Sequence, residues 1–290
     1  MAAELTAVCR LVPMVCLLAG AAVCLGQATP EPLEPAQAQA LVMRVLNNEL
    51  RAAQDTSHPM RYALHKASPR LTTTKLIIET KDGAVARLIS INDQPLRAPD
   101  EQKEQARLYA LQADAGLQRH RKQSEDSDTA RALRILRALP HAFVYQYAGP
   151  VETPSGRIEK FTFRSNPSFD PPDLETEVLT EMTGEIWIDA AHERVTHLEG
   201  HLQQDVNFGW GILGRLYKGG WVAIEQADVG DGVWRTVRFQ MQMSGRIFIR
   251  TRIFDTTQLQ TQFAPVPVGL TYVQAIQMLL ASSGANTARR

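Results

Sequence analysis

The feature of this 290-residue sequence that most constrains its fold is a long succession of strand-like segments that begins at His141. Apolar and polar residues alternate within these segments, and short turns containing Gly separate most of them. Three similar segments lie between residues 60 and 91, which brings the total to about ten strands. Strands joined by such short turns must be antiparallel neighbours, because a parallel pair needs a long crossover.

Alternation within the later segments predicts one apolar face and one wet face. Val237, Phe239 and Met241 occupy alternate positions, whereas Arg238 and Gln240 lie between them. This pattern is typical of an antiparallel sheet that is packed on one side only. A small number of helices can cover that one side. We therefore predict an α+β fold built on a single antiparallel sheet.

Three further segments have the residue spacing of helices. Residues 36–54 and 270–280 each carry apolar residues at helical intervals. Residues 99–139 form a helical insertion between strands, which we expect to be interrupted by a solvated break at 118–128 and stopped by Pro140. We interpret residues 29–290 as one domain that contains this insertion.

The first 28 residues have the order of a secretory signal peptide. Arg10 precedes a largely apolar run at 11–25, and Gly26 and Ala28 supply the small residues of a cleavage site. The run is shorter than the roughly 20 residues of a membrane span. We expect an exported protein, periplasmic or extracellular, with residues 1–28 removed. A retained anchor and a lipidated Cys24 are the alternatives.

Cysteine content and charge exclude several classes of protein. All three cysteines lie in the first 28 residues, so a mature chain would contain no disulfide framework, thiolate metal site or cysteine nucleophile. The 31 Lys and Arg residues are balanced by 31 Asp and Glu residues, whereas nucleic-acid binding needs an excess of basic residues. We therefore expect no nucleic-acid partner.

A hairpin at 184–200, with the sequence GEIWIDAAHERVTHLEG, carries a more specific pattern. A strand ending in Ile-x-Ile-Asp turns directly into a strand carrying Val-x-x-Leu. With the signal peptide, the N-terminal helix and the succession of strands, this hairpin resembles the LolA-like half-barrel proteins of bacterial envelopes and the similar RseB-type sensors. The resemblance implies a strongly curved sheet, helices over its concave face and an apolar cavity for acyl chains. The matching residues are Ile186, Ile188, Asp189, Val195 and Leu198.

The alternation and the resemblance together predict which residues face a lipid. Each CH₂ of an acyl chain that leaves water contributes about 0.8 kcal/mol of favourable binding free energy, so burial alone could keep the chain in the cavity. We expect a monomeric binding protein, a carrier or sensor of lipidated molecules, that is not an enzyme and has no cofactor. The predicted lipid-binding residues are Ile186, Ile188, Leu198, Leu202, Val222, Ile224, Val237, Phe239, Met241, Ile247, Ile249 and Ile253.

A glycine-rich apolar stretch at 207–216 predicts a mobile lip at the mouth of the cavity. Glycine gives the backbone freedom, and aromatic residues supply adaptable contact area. Such a lip would make transient contact with a ligand or a membrane surface. The alternative is a hairpin loop folded onto the core. The residues of the predicted lip are Phe208, Trp210, Ile212 and Leu213.

Polar residues of one strand leave other functions open. His197, Glu199 and His201 should share one face, with the two histidines about 13 Å apart, which is too far for one metal ion on a flat strand. We interpret them as part of a wet outer face and predict no metal site. A hydrolase using His197 and Glu199 is a weaker alternative, since the GxSxG and SxxK motifs are absent. An envelope protein–protein interaction module without lipid cargo is the main alternative.

Overall fold

The computed structural model describes residues 33–287, except 155, 209–213 and 248. The predicted signal peptide at 1–28 lies outside the described residues. The helices are α1 (Pro35–Ala52), α2 (Ala98–Ala113), α3 (Ala115–Ala142), α4 (Leu174–Glu177) and α5 (Tyr272–Thr287), and a 3₁₀ turn covers Val178–Glu181. The strands are β1 (Met60–Ala67), β2 (Thr73–Ile78), β3 (Val85–Ile91), β4 (Gln94–Pro95), β5 (Phe143–Thr153), β6 (Gly156–Ser165), β7 (Met182–Asp189), β8 (Arg194–Leu202), β9 (Val206–Phe208), β10 (Gly214–Leu216), β11 (Trp221–Asp228), β12 (Trp234–Ile247) and β13 (Arg250–Pro265).

One antiparallel sheet contains all the described strands. Its order is β4-β3-β2-β1-β13-β12-β11-β8-β7-β6-β5, and β10 pairs with β12 and with β9 beside this path. The prediction of an α+β fold on an antiparallel sheet is confirmed. The sheet has more strands than the ten predicted, because β4, β9 and β10 have only two or three residues and are too short to show an alternation.

The last strand of the sequence occupies a central place in the sheet. Strand β13 pairs with β1 on one side, where Met60 lies opposite Pro265, and with β12 on the other. It therefore joins the N-terminal strands β1–β4 to the strands β5–β12.

The sheet is strongly curved. Its curvature is shown by a single helix, α3, which contacts it both beside β3, near one end, and at β5, the other end. The backbone N–H of Ala84, beside β3, donates to the Glu125 carboxylate at 3.0 Å, and the Tyr145 hydroxyl on β5 donates to the Leu139 carbonyl at 3.0 Å. The distance along α3 between Glu125 and Leu139 is about 21 Å. The nine steps from β3 to β5 would span about 43 Å in a flat sheet. The sheet is thus a half-barrel, as predicted.

Helix α3 differs from its prediction in two ways. It is continuous over Ala115–Ala142, so the break predicted at 118–128 is wrong, and it extends two residues beyond Pro140. The polar stretch stays helical because a helix can be solvated on all sides when pairs such as Lys122 and Asp126, at 2.8 Å, link successive turns. The final turn is held by packing, since Ala142 is fully buried.

The interruption of the insertion lies instead at Asp114. Its extended backbone, with φ −111° and ψ 99°, ends α2. Its carboxylate caps α3 by accepting hydrogen bonds from the N–H groups of Gly116 and Leu117 at 2.7 and 3.2 Å. A single capping residue therefore separates the two helices, whereas the sequence predicted a longer polar break at 118–128.

Two apolar cores hold helices against the sheet. In the first core, α1 and the end of α3 pack on β5–β8 through an apolar stripe of α1 at helical spacing. In the second core, α2 and α5 pack near β2 and β3. The stripe of α1 consists of Ala38, Leu41, Val42, Val45 and Leu46. The buried residues of the second core are Ile78, Val85, Leu108, Leu111, Val266, Leu270, Ala275, Ile276 and Leu279.

Two glycines make room for large side chains in the first core. Gly184 on β7 lies opposite Gly200 on β8. A Cβ at Gly184 would lie 1.9 Å from the Glu199 carbonyl oxygen and 2.7 Å from Cζ of Phe163, and a Cβ at Gly200 would lie 2.4 Å from Cε of Met182. The missing side chains let Phe163 and Met182 lie across the strands, which is a usual role of glycine inside a sheet.

Candidate ligand-binding face

The concave face has an apolar region between the two cores. Val222 lies opposite Met241, and Ile224 lies opposite Phe239. Residues directly opposite in a sheet project to the same face, so these four side chains form one patch on β11 and β12. We call these four residues the apolar floor. The patch continues from the first core, because Ile224 also lies opposite Leu198.

The apolar floor is only half-buried, since no helix packs tightly on it. Ile224, Phe239 and Met241 belong to neither core. The part of α3 that crosses between the cores, residues 119–132, is exposed at every position. A helix exposed all round cannot be packed on the sheet beneath it. The helix therefore spans the concave side while leaving the floor accessible.

Three of the predicted lipid-binding residues belong to the first core instead. Ile186 and Ile188 are completely buried and Leu202 nearly so, beneath α1 and its neighbours. Leu198 and Val222 are partly buried and pack against the same core. The chain's own side chains therefore occupy the space over these first three residues, which the sequence prediction left for a ligand.

The inward-facing prediction is wrong for Ile253 and Ile249. Ile253 lies opposite Ser244, so it shares the outer face with the polar residues of β12. The two side chains are 75% and 92% exposed. The prediction assumed that odd-numbered residues face inward on both strands. The hairpin instead pairs odd-numbered residues of β12 with even-numbered residues of β13, so the even-numbered residues of β13 face inward. Phe254, opposite Met243, takes the inward place.

Two other predicted residues lie at irregular positions. Val237 falls at a β-bulge, where the register between β11 and β12 shifts from Arg238 to Thr236. Ile247 pairs with Arg250 through its backbone at the end of β12, but its side chain lies outside the described part of the structure.

The predicted lip is described only in part. Phe208 lies on β9 opposite Gly214, is half-buried and packs against the first core. Trp210, Ile212 and Leu213 lie outside the described residues. The packing of Phe208 agrees with the alternative of a loop folded onto the core, and the mobility of the lip stays a prediction.

A buried polar network closes one end of the apolar floor. The Glu49 carboxylate of α1 accepts hydrogen bonds from Nε and Nη2 of Arg194 at 2.8 and 3.1 Å. It also accepts from the Val195 backbone N–H at 2.9 Å and from Nε2 of Gln226 at 3.0 Å. Sequence reasoning missed this network, although Glu49 follows Val45 and Val42 on the apolar stripe and a carboxylate there requires a partner.

The outer face of β8 holds the histidines as the alternation predicts. His201 Nε2 lies 2.7 Å from the Glu199 carboxylate, and His197 Nε2 lies 3.5 Å from it. The His197 ring also contacts the Trp187 ring at 4.8 Å between centroids. Within the described residues, no group of three or more His, Cys, Asp or Glu side chains is arranged to hold a metal ion.

Two clefts lie away from the apolar floor. One of about 730 Å³ is lined mainly by polar side chains near β9 and β10, including Glu177, Asp205 and Arg215. The other, of about 190 Å³, lies between β1, β2 and α5, where Ile77 and Met278 contribute apolar walls. Neither cleft includes a residue of the apolar floor, which is therefore best described as an open face.

The strand order, the curvature and the apolar floor define the class of this protein as an α+β half-barrel with an apolar inner face. Among the helices of the described residues, none is both long and apolar enough to cross a membrane. No family model matches the sequence, and no curated protein matches it.

One solved structure is similar to this chain. It is described as a candidate outer membrane lipoprotein-sorting protein domain from Vibrio parahaemolyticus. The similarity covers 78% of this chain and 92% of that one, with 10% sequence identity and a TM-score of 0.30. The fold assignment rests on the strand order and register given above.

Proposed function

We propose that this protein binds an acyl chain or a lipidated molecule on the apolar floor, as a carrier or a sensor in the cell envelope. The observation that carries the proposal is a row of half-buried apolar residues on β11 and β12 that lies between two filled cores. Covering such a patch with an apolar ligand lowers the free energy, because apolar surface is removed from water.

The surroundings of the apolar floor favour binding over catalysis. The floor itself has no titratable side chain, and the nearest buried charges, Glu49 and Arg194, neutralise each other. Along β12, the inward positions from Phe239 to Met243 extend the apolar surface over about 14 Å, where an extended acyl chain could lie. We accordingly propose a binding protein without enzymatic activity.

Export is part of the same proposal and is supported by the sequence. The apolar run at 11–25 and the small residues that follow it have the order of a signal peptide. Comparing the mass of the chain recovered from the envelope with that of the full sequence tests this step. A recovered chain that keeps its first 28 residues would contradict removal of the predicted signal.

The acyl-binding proposal is tested with a fluorescent fatty-acid probe and the delipidated protein. Met241→Glu places a charge on the apolar floor and should weaken probe binding at least tenfold, because a buried unpaired charge is strongly unfavourable. Gln240→Glu is the matched control, since residue 240 projects to the opposite face of the same strand. Equal affinities for both variants, or no saturable binding by the unaltered protein, would overturn the proposal.

One observation favours the second candidate function, an envelope interaction module without lipid cargo. Ile186, Ile188 and Leu202 are covered by the chain's own side chains, so part of the expected cavity is already filled. Native mass spectrometry of the protein from envelope extract separates the two functions. A stoichiometric protein partner with no bound lipid would favour the module.

A further inference from the structure

The hairpin formed by β12 and β13 extends beyond β11 and β1, the long strands on either side of it. Strand β11 pairs with β12 only as far as Gln242, and β1 pairs with β13 only from Thr257 onward. Beyond these points the two strands pair with each other, and the short β10 adds three residues beside β12. We call residues 243–247 and 249–256 the projecting hairpin.

The projecting hairpin exposes large apolar side chains. Ile249 in its turn is 92% exposed and Ile253 is 75% exposed, and Phe254 is also exposed. Isolated exposed apolar residues are ordinary, but here three lie within six residues of one projecting turn, with Ile253 on the outer face and Phe254 on the inner face. Apolar surface concentrated on both faces of a turn is typical of a segment that contacts an apolar phase or a partner.

Arginines surround the apolar residues of this hairpin. The last residue pair before the turn is Ile247 with Arg250. Arg246 and Arg252 lie one and two pairs back from it, so their Cα atoms are within about 7 Å of that pair along the strands. None of the three forms an ion pair with a described residue. The acidic residue next along the strand, Asp255, lies opposite Gln242.

A fourth arginine raises the local positive charge. Arg215 on β10 lies directly opposite Arg246 on β12. Like charges in directly opposite positions are destabilising, and among the described residues Arg215 forms one ion pair, with Asp205 at 3.6 Å. Since the whole chain is formally neutral, this concentration of guanidinium groups is local.

We propose that the projecting hairpin docks the protein on an anionic membrane surface. Ile249 in the turn can enter the boundary between headgroups and acyl chains, where no concave partner surface is required. Arg246, Arg250 and Arg252, all within two residue pairs of the turn, would meet the lipid phosphates and form charge-assisted hydrogen bonds. Their long aliphatic stems allow the charged ends to stay at headgroup level. This site is separate from the apolar floor and does not depend on acyl binding.

Co-sedimentation with vesicles tests the electrostatic half of the proposal. The protein should bind vesicles of phosphatidylcholine and phosphatidylglycerol more tightly than vesicles of phosphatidylcholine alone, and salt should weaken this preference. The variant Arg246→Gln/Arg250→Gln/Arg252→Gln should lose about fivefold in affinity for each arginine removed. Arg164→Gln, an exposed arginine on the distant strand β6, is the control and should bind as the unaltered protein does.

The apolar half is tested by Ile249→Trp and Ile249→Ser. The introduced tryptophan should shift its emission to shorter wavelength on addition of phosphatidylglycerol vesicles, and the serine variant should bind them more weakly. Val268→Ser, which changes another highly exposed apolar residue, is the control. Unchanged vesicle binding by the triple arginine variant, or no binding to either vesicle type, would overturn the proposal. Met241→Glu should leave vesicle binding intact, which separates this site from the apolar floor.

Discussion

Glu49 of α1 and Arg194 at the start of β8 form a bidentate ion pair, with N–O distances of 2.8 and 3.1 Å. Both side chains are largely buried, and the pair joins the helix to the sheet across 145 residues of sequence. The same carboxylate accepts a hydrogen bond from the Val195 backbone N–H. These bonds hold α1 against the sheet and also prevent it from sliding along its own axis.

Glu49→Gln should lower the free energy of unfolding by about 3 kcal/mol, because it leaves Arg194 charged and largely buried without its partner. Urea unfolding followed by circular dichroism measures this difference. Glu193→Gln is the matched control, since Glu193 pairs with Arg44 of the same helix at 2.9 Å but at an exposed position, where a pair contributes at most about 1 kcal/mol. Equal losses in the two variants would show that burial of the Glu49 pair has no special effect.

Gly184→Ala should be among the most destabilising single substitutions in the sheet. The added methyl group would lie 1.9 Å from a backbone oxygen, so the strands themselves must move, and a loss of at least about 3 kcal/mol is expected. Gly220→Ala is the comparison, because its closest neighbour would be the flexible Met243 side chain at 3.1 Å. The denaturant midpoints of both variants measure the contrast, and similar midpoints would contradict it.

Tyr62 should make the stability of the protein fall at alkaline pH. Burial, followed by the nearby charges of Glu79 and Glu125, raises the pKa of Tyr62 from 10.0 to about 12. The folded state therefore holds the phenol proton that the unfolded state releases, so this contribution to stability is complete below pH 10 and is lost as pH rises toward 12. Tyr62→Phe should lose less stability over this interval than the unaltered protein. Parallel pH profiles of the two proteins would refute the assignment.

Helix α3 should maintain the curvature of the sheet, because it is attached both beside β3 and at β5. Ala130→Pro interrupts the helix at an exposed position, at a cost of about 3 kcal/mol in helix stability, without removing any core side chain. We expect a larger radius of gyration in small-angle X-ray scattering and faster amide hydrogen exchange around Ala84, where α3 is attached. Ala130→Ser is the control. An unchanged scattering curve for Ala130→Pro would show that the cores alone set the curvature.

The sequence predicted the elements of the fold well but not all of their arrangement. Alternation on β7, β8 and β12 identified the strands and their apolar faces, because that pattern is local. The stripe of α1 was visible for the same reason. The side of Ile253 could not be predicted, since it depends on the register across the turn, which shifts the alternation by one residue.

The candidate site was predicted in part, for a related reason. Val222, Ile224, Phe239 and Met241 do share one face, and they are left open by the helices. Ile186 and Ile188 have the same pattern in the sequence but are covered by α1. Which part of an apolar face is covered depends on where a helix docks, and contacts between residues distant in the sequence decide that.

The pairing of β1 with β13 also orders the events of folding. Until residues 257–265 are available, strands β1–β4 and β5–β12 have no shared hydrogen bonds within the sheet and can form only as two separate ladders. The two ladders can therefore fuse only after the chain up to residue 265 is available, and this long sequence separation predicts slow completion of the native state. Any chain terminated before residue 250 would expose the edges of both β1 and β12, which β13 otherwise covers, and each is a template for aggregation.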